Sequence, residues 1–213
     1  MELLEERYED ADFRHRFSTV VGRDIKQLVE IFEKLTALVR ETEFNFEMVD
    51  MGTVAEECLA ELGAQPGPDA ANGARVLHLT EEAAGKRVTM SVYREALTLK
   101  VKGDRVQLKK ALAYLIRYLL RKSPGEEAKL TFSLGQSNDP EEGVQLLVSS
   151  RTAKVTDEEL QQIFDPLKVV QESLIDMGPY VSHRIIEAQG GRLQARQGRH
   201  EVSFLASLPA TVA

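Results

Sequence analysis

From residue 75 onward the chain switches repeatedly between two periodicities. That switching restricts the possible fold more than any other feature. Stretches with period 2 read as strands near 75–79, 87–93 (RVTMSVY), 96–102 (ALTLKVK), 128–135 (AKLTFSLG), 143–150 (GVQLLVSS), 192–197 (RLQARQ) and 200–208 (HEVSFLASL). Helical periodicity reads over 104–122 (DRVQLKKALAYLIRYLLRK), 156–163 and 179–189, the last closed by Gly190-Gly191. QSNDPEE fits a hairpin loop, Gly198-Arg199 a tight turn, and 165–178 an irregular stretch. Strands in pairs with helices between them predict an α+β fold, a two-layer sandwich of sheet and helices. A shorter helix is expected over 51–63, and AQPGPDAANG (64–73) reads as a loop.

The first part has a different pattern. From Phe13 to about Glu43 apolar residues recur at Phe13, Phe17, Val20/Val21, Leu28, Ile31/Phe32, Leu35 and Leu38/Val39. Their spacing alternates between three and four, the seam of a bundle helix roughly 45 Å long. Such a seam packs either against the chain's own domain or against a second copy. No other helix of matching length is visible, which favours a homodimer through Phe13, Phe17, Val21, Leu28, Phe32, Leu35 and Val39. The acidic start (Glu2, Glu5, Glu6, Glu9, Asp10, Asp12) reads as a solvated helix end.

Composition excludes several classes. With 43% hydrophobic residues in 213, a real core can form, and net charge is −7. Residues 1–70 hold 7 Lys and Arg against 17 Asp and Glu, which argues against a nucleic-acid partner. No apolar run is long enough to span a membrane and no secretory leader is visible. Cys58, alone in an apolar stripe with Val54 and Leu62, predicts a buried thiol and fits a reduced, cytoplasmic setting. His78, His183 and His200 make no metal spacing. There is no Gly-x-Ser-x-Gly, dinucleotide fingerprint or Walker loop.

Several passages taken together resemble one family, bacterial sensor histidine kinases, over residues 2–208. EERYEDADFRHRF followed by IKQLVEIFEKLTALVRETEFNFEMVDM is similar to the second helix of the dimerisation bundle and its exit. VKGDRVQLKKAL, SPGEEAKLTFSL, VTDEELQQIFDPL and GPYVSHRIIEAQGGRLQA are similar to landmarks of the GHKL-type ATPase domain. The resemblance implies a helical dimerisation stem over 1–48 and a histidine-kinase-like ATPase domain over 49–213.

It also implies where the chemistry should stand. The family's Mg²⁺-holding asparagines fall at Tyr114 and Tyr118, whose phenols are poor ligands and bulkier than amides. Two rings four residues apart share one helix face and fill space that a phosphate needs. Tyrosines merely packed on a core face would have the same effect. The family's adenine-binding Asp falls at Ser150 and its glycines at Thr152 and Lys154; a β-branched Thr resists the backbone angles that glycine takes freely. Of the second glycine pair only Gly178 remains, and Asp176 would repel phosphate. Each lost oriented group costs about 1–3 kcal/mol, against roughly 8 kcal/mol in a micromolar affinity. The loop SSRTAK therefore predicts loss of ATP-Mg binding, and no cofactor or metal is expected.

The family's phosphoacceptor motif, His-Glu/Asp-Leu-Arg-x-Pro, does not occur. MELLEERY is similar to the tail of the helix that carries it. His15 is the one histidine on the stem and a weak phosphoacceptor candidate, read first as a solvated residue. The expected function is a catalytically inactive pseudokinase module of two-component signalling, dimerising or docking a partner such as a response-regulator receiver domain. Two readings as an enzyme stand beside it: a histidine phosphotransferase with a dead ATPase-like domain, and the truncated catalytic part of a sensor kinase.

Overall fold

The computed structural model describes residues 11–39, 43–67, 75–79, 87–94, 99–137, 143–165 and 177–210, with only part of the side chains in 11–39. Backbone contacts divide the chain at residues 41/42 into two units.

The described part of the first unit is helix α1, Ala11–Val39. Its 29 residues extend about 44 Å. Thr19 and Thr36 return their hydroxyls to the carbonyls of His15 and Phe32, both at 2.8 Å, which accommodates these polar β-branched residues within the helix. Phe13 and Phe17 stack with ring centroids 6.0 Å apart.

In the second unit, β1 (Glu47–Asp50) pairs antiparallel with β5 (Lys100–Gly103) as a two-stranded ribbon. Asp50 ends β1 and caps α2 (Met51–Glu61), its Oδ1 accepting from the Gly52 amide at 2.7 Å. Helix α2 buries Val54 and Cys58, as the apolar stripe predicted. It is two residues shorter than the sequence suggested. The sheet contains β2 (Ala64–Pro66), β3 (Arg75–Leu79), β4 (Arg87–Arg94), β6 (Glu127–Gln136), β7 (Val144–Ser150), β8 (Arg192–Gly198) and β9 (Glu201–Leu208). The strand order is β2-β3-β4-β6-β7-β9-β8. Among these described strands, β4 and β6 form the parallel pair, and they are the neighbours joined through β5 and helix α3 (Arg105–Lys122). Helices α4 (Asp157–Gln161) and α5 (Gly178–Ala188) follow β7.

Period 2 places Met90, Leu130, Phe132, Leu134, Leu146, Val148, Phe204 and Ala206 in the core, where they pack with Leu112, Leu115 and Leu119 of α3. Their chain neighbours Thr131, Ser133, Leu147, Ser203 and Leu205 are half-buried on the opposite face. This is the α+β sandwich that the alternation predicted.

Two local expectations are corrected. Residues 64–73 do not begin as a loop: Ala64–Pro66 pairs antiparallel with Leu77–Leu79 of β3. Pro66 is tolerated because β2 is the edge of the sheet, where a missing N–H breaks no ladder. The strand expected at 96–102 is observed as β5, ending one residue later at Gly103; residues 95–98 lie outside the described set.

Candidate functional site

Helix α3 is held in place from its first turn. Asp104 caps it, with Oδ1 accepting from the Gln107 amide at 3.0 Å and Oδ2 from the Asn45 amide at 2.9 Å. The Asp104 amide donates to Gln189 Oε1 at 2.7 Å. On the outer side Arg105 pairs with Glu57 and Lys109 with Glu61. The hydrogen bond from Arg105 holds the Glu57 carboxyl below its ordinary range. These ties set the rotation of α3 and turn Tyr114 and Tyr118 inward, where they are 2% and 1% exposed.

Each ring has a defined setting. The edge of Tyr118 meets Phe204 of β9, with centroids 5.7 Å apart at 77°. Its hydroxyl donates to Glu159 Oε1 at 3.4 Å, and Lys122, which lies 5.5 Å from the ring centre, forms an ion pair with the same carboxylate. Tyr114 meets the start of α5. A Cβ on Gly178 would stand 3.2 Å from the Tyr114 carbonyl oxygen and 3.4 Å from its Cβ. Glycine therefore permits this close helix contact. Ser182, one turn on, brings its hydroxyl to 2.9 Å from the Ala111 carbonyl and 2.8 Å from that of Gly178.

The junction SSRTAK is closed by hydroxyls. Ser150, buried at the end of β7, accepts from the amides of Thr152 at 3.2 Å and Ala153 at 3.0 Å, so its side chain shapes the turn. Thr152 Oγ1 donates to Ser123 Oγ at 2.9 Å and accepts from the Lys129 amide at 3.2 Å. Ser150 Oγ lies 3.3 Å from Ser123 Oγ, which donates to the Leu119 carbonyl at 2.8 Å. Lys154, the last of the three substituted positions, has an exposed side chain, and its amide donates to the Lys122 carbonyl at 2.8 Å.

The sequence reading named Tyr114 and Tyr118, the positions Ser150, Thr152 and Lys154, and Gly178 with Asp176; the fold places Tyr114 against Gly178 and Ser150 within hydrogen-bond reach of Thr152. Asp176 lies outside the described residues. Ser123, Lys122, Glu159 and Ser182 were not singled out. Ser182 had a weak signal, a small residue one turn after Gly178. Glu159 sits third in α4 after the cap Thr156, where a capping role would be the ordinary reading. Among the described residues no group of three or more His, Cys, Asp or Glu could hold a metal ion.

No protein-family model matches the chain. It is 22% identical over 181 residues to the sensor histidine kinase ZraS of Klebsiella oxytoca, a match that covers 85% of this chain. The nucleotide-free catalytic domain of histidine kinase ThkA superimposes with a TM-score of 0.58 at 17% identity, covering 79% of this chain and 99% of that one. Full-length ShkA in complex with AMPPNP superimposes with a TM-score of 0.62 at 15% identity, covering 98% of this chain and 40% of that one. The fold is that of a histidine-kinase catalytic domain. The chain spans 35% of the length of ZraS.

Within this histidine-kinase fold, His183 on α5 packs its ring on Phe164, centroids 4.4 Å apart and planes 20° apart. Burial pushes its pKa below the ordinary 6.5, opposed by Glu187 at 3.3 Å and aided by Arg184. The folded state therefore favours neutral imidazole. The contribution of His183 to stability is therefore present above pH 6.5 and is lost as pH falls below 6.5 toward the depressed folded value, because the unfolded chain then binds the proton more readily. Urea denaturation of His183→Gln between pH 8 and pH 5 is expected to show a smaller loss of stability than the parent protein. An equal loss in both would assign the slope to other groups.

On α1, His15 is exposed, as are Phe17, Leu28 and Phe32, while Phe13 and Val21 are half-buried. The side chains of Leu35 and Val39 lie outside the described set. Among the described residues no helix is long and apolar enough to cross a membrane.

Proposed function

We propose that this chain is a catalytically inactive, kinase-derived module of two-component signalling that does not bind ATP-Mg. It acts by forming a homodimer through α1 and by docking a signalling partner, with a response-regulator receiver domain as the partner class. The observation that carries the reading is the burial of Tyr114 and Tyr118 at the two helix positions where the family resemblance puts metal-holding amides.

Magnitudes support it. Admitting a triphosphate and Mg²⁺ beside this face means re-exposing both rings. A tyrosine buries about 150–250 Å², so at about 25 cal/mol per Å² the two rings cost roughly 8–12 kcal/mol. A micromolar ligand supplies about 8 kcal/mol in total. Opening the hydroxyl cluster at 123, 150 and 152 adds about 0.5–1.5 kcal/mol per bond. A phenol in place of a carboxamide also leaves the cation without a good oxygen ligand. The residues present do not fit ATP-Mg.

Thermal denaturation tests the reading. A ligand present at 100 times its Kd adds about 2.7 kcal/mol, roughly 5–10 °C in Tm for a domain of this size. Addition of 5 mM ATP-Mg is expected to leave Tm within about 1 °C, as estimated from the same linkage. A rise of several degrees that saturates with concentration contradicts the reading.

A further inference from the structure

The carboxyl end of α3 and the segment after β7 are joined by several polar contacts. Thr152 donates its hydroxyl to Ser123, and Ser150 lies within hydrogen-bond distance of the same oxygen. The Lys154 amide donates to the carbonyl of Lys122. Further along, Glu159 on α4 takes the ammonium of Lys122 and the hydroxyl of Tyr118. Backbone, hydroxyl and ionic contacts thus fasten residues 150–159 to residues 118–123 at successive points.

The partners are chemically matched. Helix α3 carries six basic residues and no acidic one, and α4 begins Asp157-Glu158-Glu159. The pairing of Lys122 with Glu159 joins the two helices where these opposite charges meet. Ser123 and Ser150 are buried, and the side chains of Lys122 and Glu159 are about a quarter exposed, so salt screens their ion pair less than it would a fully exposed one.

We propose that these contacts form a permanent internal clasp, which keeps segment 150–159 closed on α3 in the ligand-free protein. The inference deepens the reading that the site takes no nucleotide: the cross-links a ligand would have to supply between helix and loop are made by the chain itself. The module then presents one fixed conformation of this corner to its partner, and nucleotide has no part in ordering it.

Amide hydrogen exchange on the full chain, followed residue by residue, tests the clasp. In the absence of nucleotide the amides of Thr152, Ala153 and Lys154 are expected to exchange at least ~100-fold more slowly than in an unstructured peptide. Addition of ATP-Mg is expected to leave them unchanged. The double substitution Thr152→Val with Glu159→Gln is expected to raise exchange at Lys154 by ~10-fold or more, with the amides of Phe132 and Val148 in the sheet core unaffected. Fast exchange in the parent protein overturns the clasp, as does slowing by ATP-Mg or an unaltered rate in the double variant. Calorimetric ATP binding with these amides unchanged overturns the nucleotide-free reading and supports the clasp; fast exchange without ATP binding does the reverse.

Discussion

Tyr118→Ala is expected to destabilise the domain by about 3–5 kcal/mol, the range for truncating a large buried aromatic. Tyr118 is almost completely buried and its ring meets Phe204 edge-on, so the deletion leaves a cavity between α3 and the centre of the sheet. Neither neighbour can collapse into it easily, because α3 is fixed at its first turn through Asp104 and Phe204 is paired in β9 between β7 and β8. The ion pair of Lys122 with Glu159 also loses the ring beneath it. Tyr118→Phe keeps the ring and removes the 3.4 Å hydrogen bond to Glu159, so its cost is expected below about 1 kcal/mol. Urea unfolding of the three proteins separates the two contributions. An alanine variant as stable as the parent would mean that the ring is not a core element, and the argument from its burial would fail.

The second large effect concerns α1. Leu28 is 65% exposed and Phe32 72%, on a helix that also exposes Phe17, Val20, Ile25 and Val29. Burying one such side chain contributes about 1.5–3 kcal/mol. A twofold contact uses each position twice, so Leu28→Glu with Phe32→Glu removes four apolar groups and sets like charges against each other. The dimer dissociation constant is expected to rise more than ~100-fold, equivalent to at least about 2.7 kcal/mol. Sedimentation equilibrium measures this directly. The core of the second unit contains none of these residues, so its unfolding midpoint is expected to stay the same. A parent protein that is monomeric at 100 μM, or a variant that dimerises equally well, would leave the exposed stripe without the proposed partner.

Legibility in the sequence followed the range of the interactions involved. Alternation such as Leu130-Thr131-Phe132-Ser133-Leu134 decides which face is buried, so the strands could be read locally. The helical period read over 104–122 matches α3 to one residue, and Ser123-Pro124-Gly125 follows its last turn; the cap by Asp104 is seen only in the fold. Strand β2 was missed because its three residues carry no period and open a stretch, 64–73, rich in turn formers; only pairing with β3 makes them a strand. Strand β1 was missed for a related reason: Glu47–Asp50 is short and has a single buried residue, Val49.

The site divided in the same way. Tyr114, Tyr118, Ser150 and Thr152 stood out because a resemblance assigned their positions a duty they do not fit. What those residues do instead was not visible. The Ser123 hydroxyl, the reach of Glu159 to Lys122 and the exposed course of Lys154 depend on contacts between segments some thirty residues or more apart in the chain. The resemblance points to the positions; three-dimensional proximity shows which contacts the side chains there make.

The central claim is that the face of α3 bearing Tyr114 and Tyr118 is filled by the protein itself. Isothermal titration of the full chain with ATP in the presence of Mg²⁺ tests it most directly. The account predicts heats equal to those of dilution up to millimolar nucleotide. A saturable isotherm with one site per chain and a micromolar Kd would contradict it.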